Sequence, residues 1–159
     1  IFVTHDVEEA MSVSDRIIVM KKGKILQIDS PKKLYNSPKN KCVANMLGST
    51  NQFEIKADAK GKLFTPFGSV SCNKCTSINK FCQQKKHFCI IRPESIIISK
   101  RGVKAKVINK YFLGASWAYQ LDLGAKFPIL NITNCKRELK KNQYITVNAS
   151  KKDIFIFQE

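Results

Sequence analysis

The chain is poor in acidic residues and in long apolar runs. It has 12 Asp and Glu against 28 Lys and Arg, so its formal net charge is +16. No apolar run approaches the roughly 20 residues that a membrane-spanning helix needs, so we predict no direct membrane span. The hydrophobic content of 43% and charged content of 25% are ordinary for a folded protein and exclude full disorder.

The sequence also has no phosphate-binding loop. Such a loop has the pattern Gly-x-x-x-x-Gly-Lys-Ser/Thr, in which backbone amides surround the phosphates. None of the 7 glycines stands in that arrangement. Gly61-Lys62 comes nearest, but Leu63 follows it and the earlier glycine is missing. We therefore expect no nucleotide hydrolysis by this chain alone.

The basic charge has two alternative interpretations. A field of this sign attracts phosphates, anionic lipid or nucleic acid. Lysines beside Asn and Ile, as in Lys140-Lys141-Asn142, are also what an AT-rich genome produces. We favour compositional background over an anionic partner, and both interpretations stay open.

The first part of the chain, residues 1–48, has the pattern of a short α/β segment. Ile1–Val3 is apolar and predicts a strand. A helix is predicted to begin at Val7, because Asp6 and Glu9 have the spacing of a capping box. A hairpin is predicted to follow, with a buried strand over Ile17–Met20 and a returning strand over Lys24–Ile28.

Two Ser-Pro pairs then predict helix starts, at Ser30-Pro31 and at Ser37-Pro38. Serine is a good N-cap, and proline suits the first helical position. The second of these helices is predicted to end at Gly48, a natural C-cap. Its predicted core positions are Val43, Met46 and Leu47.

The second part, residues 49–159, has an all-β pattern. Short apolar runs separated by turn residues are typical of a small barrel or sandwich. The polar stretch 71–86 is predicted to be an excursion. The predicted strands are Gln52–Ala57, Lys62–Thr65, His87–Arg92, Ile96–Ser99, Gly102–Phe112, Trp117–Leu123, Phe127–Thr133, Gln143–Ala149 and Ile154–Phe157.

Residues 2–10 carry the strongest chemical signal. The pattern places His5 at the end of a strand and just before a helix, and ligands bind at the carboxyl ends of strands in open α/β sheets. An imidazole there can hydrogen-bond a phosphate oxygen. A lone histidine at a strand end is more often structural, because binding pockets are few per protein. Asp6 is better interpreted as the helix N-cap than as a catalytic carboxylate.

The surrounding residues resemble the switch-histidine end of importer-type ABC ATPases. By this resemblance, residues 1–48 are the end of a P-loop ATPase domain, and His5 is the catalytic and cofactor-contacting residue that touches the γ-phosphate. The family's Ser-Gly-Gly-Gln signature, metal-binding Asp and catalytic Glu are expected upstream of Ile1. The matching segments are Phe2–Ala10, Ser14–Met20, Lys22–Ile25, Asp29–Pro31, Leu34-Tyr35, Pro38, Val43-Ala44 and Leu47-Gly48.

The second part resembles the OB-like (TOBE) regulatory barrel that follows the ATPase core in iron, polyamine, sulfate and sugar importers. Its landmarks are Ile91–Glu94, Phe112–Ala115 and Tyr119–Gly124. In that family the barrel pairs two ATPase subunits, which implies a homodimer here. The short tail after the Phe-Leu-Gly turn is most similar to ferric-iron importers. Polyamine and sugar are the alternative solutes.

The resemblance also implies the wider context. The parent protein would be an ATPase that uses ATP and Mg to drive solute uptake. It would work with transmembrane permease subunits, on the cytoplasmic face of the cell membrane. The chain alone is expected to be an inactive fragment that binds no cofactor, and no metal ligand is assigned to it.

A basic OB-type nucleic-acid-binding module is the alternative function. Trp117 and Tyr119 lie two residues apart and share one face of a predicted strand. Their rings are either a platform on which bases stack or part of the barrel core or a subunit contact. We favour packing, and with it no nucleic-acid partner.

Six cysteines raise the question of a metal site. Cys72 and Cys75 form a Cys-x-x-Cys pair, and Cys82, His87 and Cys89 follow. Four thiolate or imidazole ligands in a tetrahedral array suit zinc. A zinc site, a redox pair and reduced bystanders all stay open. We favour reduced bystander cysteines, because Cys82, His87 and Cys89 do not repeat the Cys-x-x-Cys spacing. A reducing cytosol also keeps thiols free.

We expect the protein, purified without chelator, to carry far less than one equivalent of zinc, because the ligand spacing is incomplete. Elemental analysis by mass spectrometry measures this directly. The control is the double variant Cys72→Ser/Cys75→Ser. One equivalent of zinc in the parent chain and none in this variant would contradict the bystander interpretation.

Overall fold

The computed structural model describes residues 1–58, 62–71, 86–125 and 127–158. Within these residues strand is far more abundant than helix. The chain divides into two compact units, Ile1–Thr50 and Asn51–Glu159. No helix in the described ranges is long and apolar enough to cross a membrane.

The first unit is a hairpin surrounded by short helices. The predicted hairpin is confirmed, and its antiparallel ladder runs from Ile17 paired with Asp29 to Lys21 paired with Lys24. Lys22 and Gly23 both have positive φ, at 49° and 73°, as a tight two-residue hairpin turn requires. The elements are α1 (Val7–Val13), β1 (Ile17–Lys21), β2 (Lys24–Asp29), α2 (Pro31–Asn36) and α3 (Lys41–Met46).

Two predicted starts of secondary structure in this unit are wrong. Ile1–Val3 forms no strand, because no neighbouring strand in the described residues pairs with it, and its side chains are exposed. Ser37-Pro38 does not begin a helix. The Ser37 amide instead ends α2 by donating to the Lys33 carbonyl at 2.8 Å. Proline disfavours helical backbone at the residue before it. Ser37-Pro38 therefore stops α2 and does not start another helix.

Helix α3 begins after Asn40, which replaces the predicted cap. The Asn40 side-chain oxygen accepts a hydrogen bond from the Val43 amide at 2.9 Å. The helix ends at Met46, two residues before Gly48, whose φ is 141°. Of its predicted core positions, Val43 and Leu47 are buried, but Met46 is 40% exposed.

A buried glutamine ties the hairpin to the helices. The Gln27 side chain donates to the Ser37 carbonyl at 3.2 Å and accepts from the Lys39 amide at 2.8 Å. It also donates to Asp29 at 3.2 Å, and Lys33 forms an ion pair with Asp29 at 3.0 Å. The hydrogen bonds from Lys33 and then Gln27 hold the pKa of Asp29 below its ordinary value.

The second unit is built from antiparallel strands. The described sheets have the orders β10-β7-β8-β9, β11-β6-β3 and β4-β5. The strands are β3 (Asn51–Ile55), β4 (Lys62–Thr65), β5 (Gly68–Ser71), β6 (His87–Ile91), β7 (Ile96–Phe112), β8 (Trp117–Asp122), β9 (Leu130–Cys135), β10 (Tyr144–Ala149) and β11 (Ile154–Gln158).

Most predicted strands of this unit are confirmed, with boundaries that match or differ by up to three residues. Two differences concern connectivity. The predicted strands Ile96–Ser99 and Gly102–Phe112 are one continuous strand, β7, and β5 was not predicted. The composition of Gly68–Ser71 favours a turn. This segment nevertheless pairs with β4, from Lys62 opposite Ser71 to Thr65 opposite Gly68.

The strands of this unit share one apolar core. Its fully buried members include Leu63, Cys89, Val107, Leu121 and Ile132. Tyr119 joins this core at 1% exposure. Its hydroxyl donates to the Arg137 carbonyl at 2.8 Å and accepts from the Leu139 amide at 2.9 Å, so the one polar atom on the ring is satisfied. The arrangement is compatible with a β-barrel-like domain.

A buried asparagine joins the two larger sheets. The Asn51 side chain donates to the Asn131 carbonyl at 2.8 Å and accepts from the Asn131 amide at 2.6 Å. It therefore substitutes for a neighbouring strand at one position of β9. Nearby, the rings of Phe53 and Phe127 meet edge to face at 6.2 Å.

We expect Asn51→Ala to lower the free energy of unfolding by about 1–3 kcal/mol, because it removes the partner of both backbone groups of Asn131 in a part-buried site. Chemical denaturation measures the change. Asn131→Ala is the matched control, since it keeps the main-chain groups and removes only an exposed side chain. A loss in Asn51→Ala no larger than that in Asn131→Ala would contradict this role of the Asn51 carboxamide.

Candidate functional site

The backbone on both sides of His5 is held by three side chains. Asp6 is the N-cap of α1, and its carboxylate accepts from the Glu9 amide at 3.0 Å. The Asp6 amide donates to the Thr4 hydroxyl oxygen at 3.0 Å. That hydroxyl donates to the Glu9 carboxylate at 2.9 Å. The predicted cap is confirmed, although Glu9 bonds Thr4 instead of the Asp6 amide that a capping box would use.

His5 lies between the fixed residues Thr4 and Asp6, and its side chain is exposed. No other side chain or backbone group in the described part of the chain makes a hydrogen bond with the imidazole. The predicted strand before it is absent, so the backbone around His5 is held by the bonds of Thr4, Asp6 and Glu9 and not by a sheet. Asp6, in contrast, is engaged by the Glu9 amide, which fits a structural cap and not a catalytic carboxylate.

An exposed imidazole in this setting is suited to hydrogen bonding with a ligand. It can donate or accept a hydrogen bond with an incoming oxygen, and a phosphate oxygen is a suitable partner. Thr4, Asp6 and Glu9 are bonded to one another, so the polar side chains of Thr4–Glu9 that have no hydrogen-bond partner among the described residues are those of His5 and Glu8.

Two of the three described cysteines, Cys89 and Cys135, have the properties of structural thiols. Cys89 is fully buried, and burial raises its pKa to about 12. Burial also raises the pKa of the half-buried Cys135. Both shifts oppose formation of a reactive thiolate at neutral pH. His87 is buried as well, at the start of the same strand as Cys89.

The remaining predicted metal ligands, Cys72, Cys75 and Cys82, lie outside the described residues. Among the residues that the structure does describe, no group of three or more His, Cys, Asp or Glu side chains could hold a metal ion. Elemental analysis of zinc is therefore the test for a metal site at the Cys-x-x-Cys pair.

The aromatic pair on β8 is part of the packing. The rings of Trp117 and Tyr119 stack at 6.4 Å, and Phe112 meets Trp117 at 4.9 Å. Because Tyr119 is buried, its ring offers no open face to a base. Sequence reasoning missed Lys110, whose ammonium lies 5.1 Å from the Trp117 ring centre and forms an ion pair with Glu138. The shared face of Trp117 and Tyr119 is thus occupied from within the chain.

The landmark motifs of the second unit occupy distinct structural positions. Pro93–Ser95 is a short 3-10 turn after β6, and the Ser95 amide donates to the Arg92 carbonyl at 3.1 Å. Arg92 is only 2% exposed, which its charge gave no reason to expect. Phe112–Ala115 is the tip of the β7–β8 hairpin, and there Phe112 and Leu113 are more than half exposed.

Comparison with known proteins identifies the class of protein to which this chain is related. No family model matches the chain. Over most of its length, however, the chain is homologous to ATP-binding subunits of ABC importers, with identities of 31–38%.

Three relatives represent this class. The spermidine/putrescine import ATP-binding protein PotA of Mesomycoplasma hyopneumoniae is 36% identical, over 91% of this chain and 32% of the relative. The Fe(3+) ions import ATP-binding protein FbpC of Fusobacterium nucleatum is 34% identical, over 100% and 44%. The PotA protein of Aster yellows witches'-broom phytoplasma is 31% identical, over 99% and 37%. The chain thus spans less than half the length of these curated relatives.

We expect Asp6→Ala to loosen α1, because it removes the acceptor for the Glu9 amide, and loss of an N-cap costs about 1 kcal/mol. Amide hydrogen exchange at Glu9 and Ala10 should become about fivefold faster, as that energy corresponds to such a factor. Asp6→Asn, which caps a helix equally well, should exchange like the parent chain. Unchanged exchange in Asp6→Ala would contradict the role of the cap.

Proposed function

We propose that this chain is the C-terminal part of the ATP-binding subunit of an ABC importer. Residues 1–48 would be the end of its ATPase domain, and residues 49–159 its OB-like (TOBE) regulatory barrel. The whole subunit would couple ATP hydrolysis to solute uptake. The proposal rests on one observation above all: His5 is exposed between two fixed residues, in a chain homologous to import ATP-binding subunits.

The proposed role of His5 is contact with the γ-phosphate of ATP. A catalytic contact needs a group whose position is set before the ligand arrives. The bonds among Thr4, Asp6 and Glu9 fix the backbone on either side of His5, while the imidazole itself stays available. Loss of the γ-phosphate would remove the partner of that imidazole, which is how His5 would sense hydrolysis.

The proposal assigns the remaining nucleotide contacts to other parts of the subunit. The described residues contain no cluster of carboxylates that could hold Mg, and the sequence has no phosphate-binding loop. His5 fits a single phosphate contact and nothing more. In this proposal ATP and Mg supply the phosphoryl-transfer chemistry, and the chain by itself is inactive.

An exposed apolar face supports the assignment of the first unit. Ile18 and Met20 of β1 are 55% and 50% exposed, and their partners Ile28 and Ile25 on β2 are 37% and 56% exposed. This corrects the prediction of a buried strand, since of β1 only Val19 is buried. We propose that the rest of the ATPase domain covers this face, because water-exposed apolar faces of this kind mark interaction sites.

The barrel would pair two copies of the subunit. The tip of the β7–β8 hairpin presents Tyr111, Phe112 and Leu113 at 48%, 64% and 57% exposure. Aromatic and aliphatic side chains of this kind are typical of subunit contacts. The complete subunit would also bind transmembrane permease subunits, and it would thereby lie on the cytoplasmic face of the membrane.

The transported solute would be a multivalent cation. Relatives named for Fe(3+) and for spermidine/putrescine match with similar identity, 34% and 36%. The short tail after the Phe-Leu-Gly turn favours ferric iron, and polyamine is the second candidate. Uptake of labelled Fe(3+) and labelled spermidine by the complete transporter distinguishes them.

We expect His5→Ala in the complete transporter to abolish uptake and leave ATP binding within about twofold of the parent, because one phosphate contact among many contributes more to the transition state than to binding. Uptake and nucleotide binding are measured on the same preparation. Glu8→Ala, an exposed change three residues away, is the control and should transport normally. Full uptake by His5→Ala would show that His5 is not the switch residue.

A further inference from the structure

A basic cleft lies where β7 separates from β10. The ladder passes from Ile98 paired with Val147 to Lys104 paired with Thr146, so residues 99–103 have no partner on β10 in the described ladder. This outward bulge makes one wall of an open cleft of about 520 Å³. The cleft is lined by Lys100, Arg101, Gly102, Lys104, Tyr144, Ile145 and Thr146.

Gly102 holds the bulge against β10. Its φ is 146°, which side-chain-bearing residues rarely adopt. A Cβ atom at this position would lie 2.1 Å from the carbonyl oxygen of Val147, so no other residue fits. The Arg101 amide donates to the Ser99 hydroxyl oxygen at 3.3 Å, which turns the chain just before Gly102. The wall of the cleft therefore has a defined backbone path.

The cleft is lined by positive charge. Lys100, Arg101 and Lys104 are three of its lining residues, and no lining residue is acidic. None of these three cations is in an ion pair within the part of the chain that the structure describes. Elsewhere, lysines with a carboxylate nearby do pair with it: Lys33 with Asp29, Lys86 with Glu54 and Lys110 with Glu138.

Two further groups complete the surface. The Lys104 ammonium lies 4.8 Å from the ring centre of Tyr144. This contact restricts the positions that the ammonium group can occupy. Thr146 is the ladder partner of Lys104, so their side chains share the outward face of the sheet. The Thr146 hydroxyl is half-buried and can donate a hydrogen bond.

We propose that this cleft is a binding site for a phosphate-bearing small molecule. Arg101 can hold two oxygens of a phosphoryl group at once, and the two lysines act as further point charges. A phosphoryl oxygen also suits the Thr146 hydroxyl. The site is separate from His5, which lies in the other compact unit, and it would give the barrel a regulatory ligand of its own.

The test is a titration of the chain with inorganic pyrophosphate, followed by NMR of the backbone amides at roughly 0.15 M ionic strength, where exposed charges more than about 8 Å apart are screened. We expect saturable shifts at residues 100–104 and 144–146. Lys100→Gln/Arg101→Gln/Lys104→Gln should weaken binding by about tenfold or more, since one charge-assisted hydrogen bond is worth at least that factor.

The matched control removes the same charge from the same unit outside the cleft, as Lys62→Gln/Lys136→Gln/Lys152→Gln. It should bind within about twofold of the parent chain if the site is local. Arg101→Lys keeps the charge and loses the bidentate geometry, so we expect intermediate affinity.

Absence of saturable shifts in the cleft, or equal weakening in both triple variants, would overturn the proposal, because the charge would then act diffusely. Shifts confined to residues near His5 would also overturn it while leaving the proposed function of His5 intact. A loss of transport in His5→Ala with normal pyrophosphate binding in the cleft would support both sites independently.

Discussion

Backbone groups at the ends and edges of short elements must find hydrogen-bond partners, and in this chain buried carboxamides supply them. Gln27 bonds the carbonyl of Ser37 and the amide of Lys39 in the first unit. Asn51 bonds both backbone groups of Asn131 in the second. Each carboxamide presents an N–H donor beside a carbonyl acceptor, as the edge of a strand does. These bonds satisfy polar backbone groups at the borders of the apolar cores.

The same constraint shapes the candidate site. The first turn of a helix has amides without partners, and the side chain of Asp6 satisfies the one at Glu9. Thr4 then satisfies the Asp6 amide and is itself held by Glu9. His5 stands in the middle of these bonds and takes part in none of them. A fixed backbone carrying a free imidazole is the physical basis of the role proposed for His5.

Local signals in the sequence predicted local structure well. The Asp6 cap, the β1–β2 hairpin and most strands of the barrel follow from residues close together in the chain. The wrong predictions involve competing signals or missing partners: Ser37-Pro38 ends a helix, Ile1–Val3 has no strand to pair with, and β1 exposes Ile18 and Met20. The Asn51–Asn131 bonds join residues 80 apart, and no local pattern signals them. The role of His5 was predicted from its sequence neighbours and stays a prediction, whereas the cleft at Gly102 depends on a register shift that only the paired strands reveal.

The central claim is that His5 contacts the terminal phosphate of ATP in the whole subunit. The most direct measurement is a structure of that subunit with a non-hydrolysable ATP analogue bound. The account predicts an imidazole nitrogen of His5 about 2.7–3.2 Å from a γ-phosphate oxygen, the distance of a hydrogen bond. An imidazole turned away from the phosphate, with another side chain in its place, would contradict it.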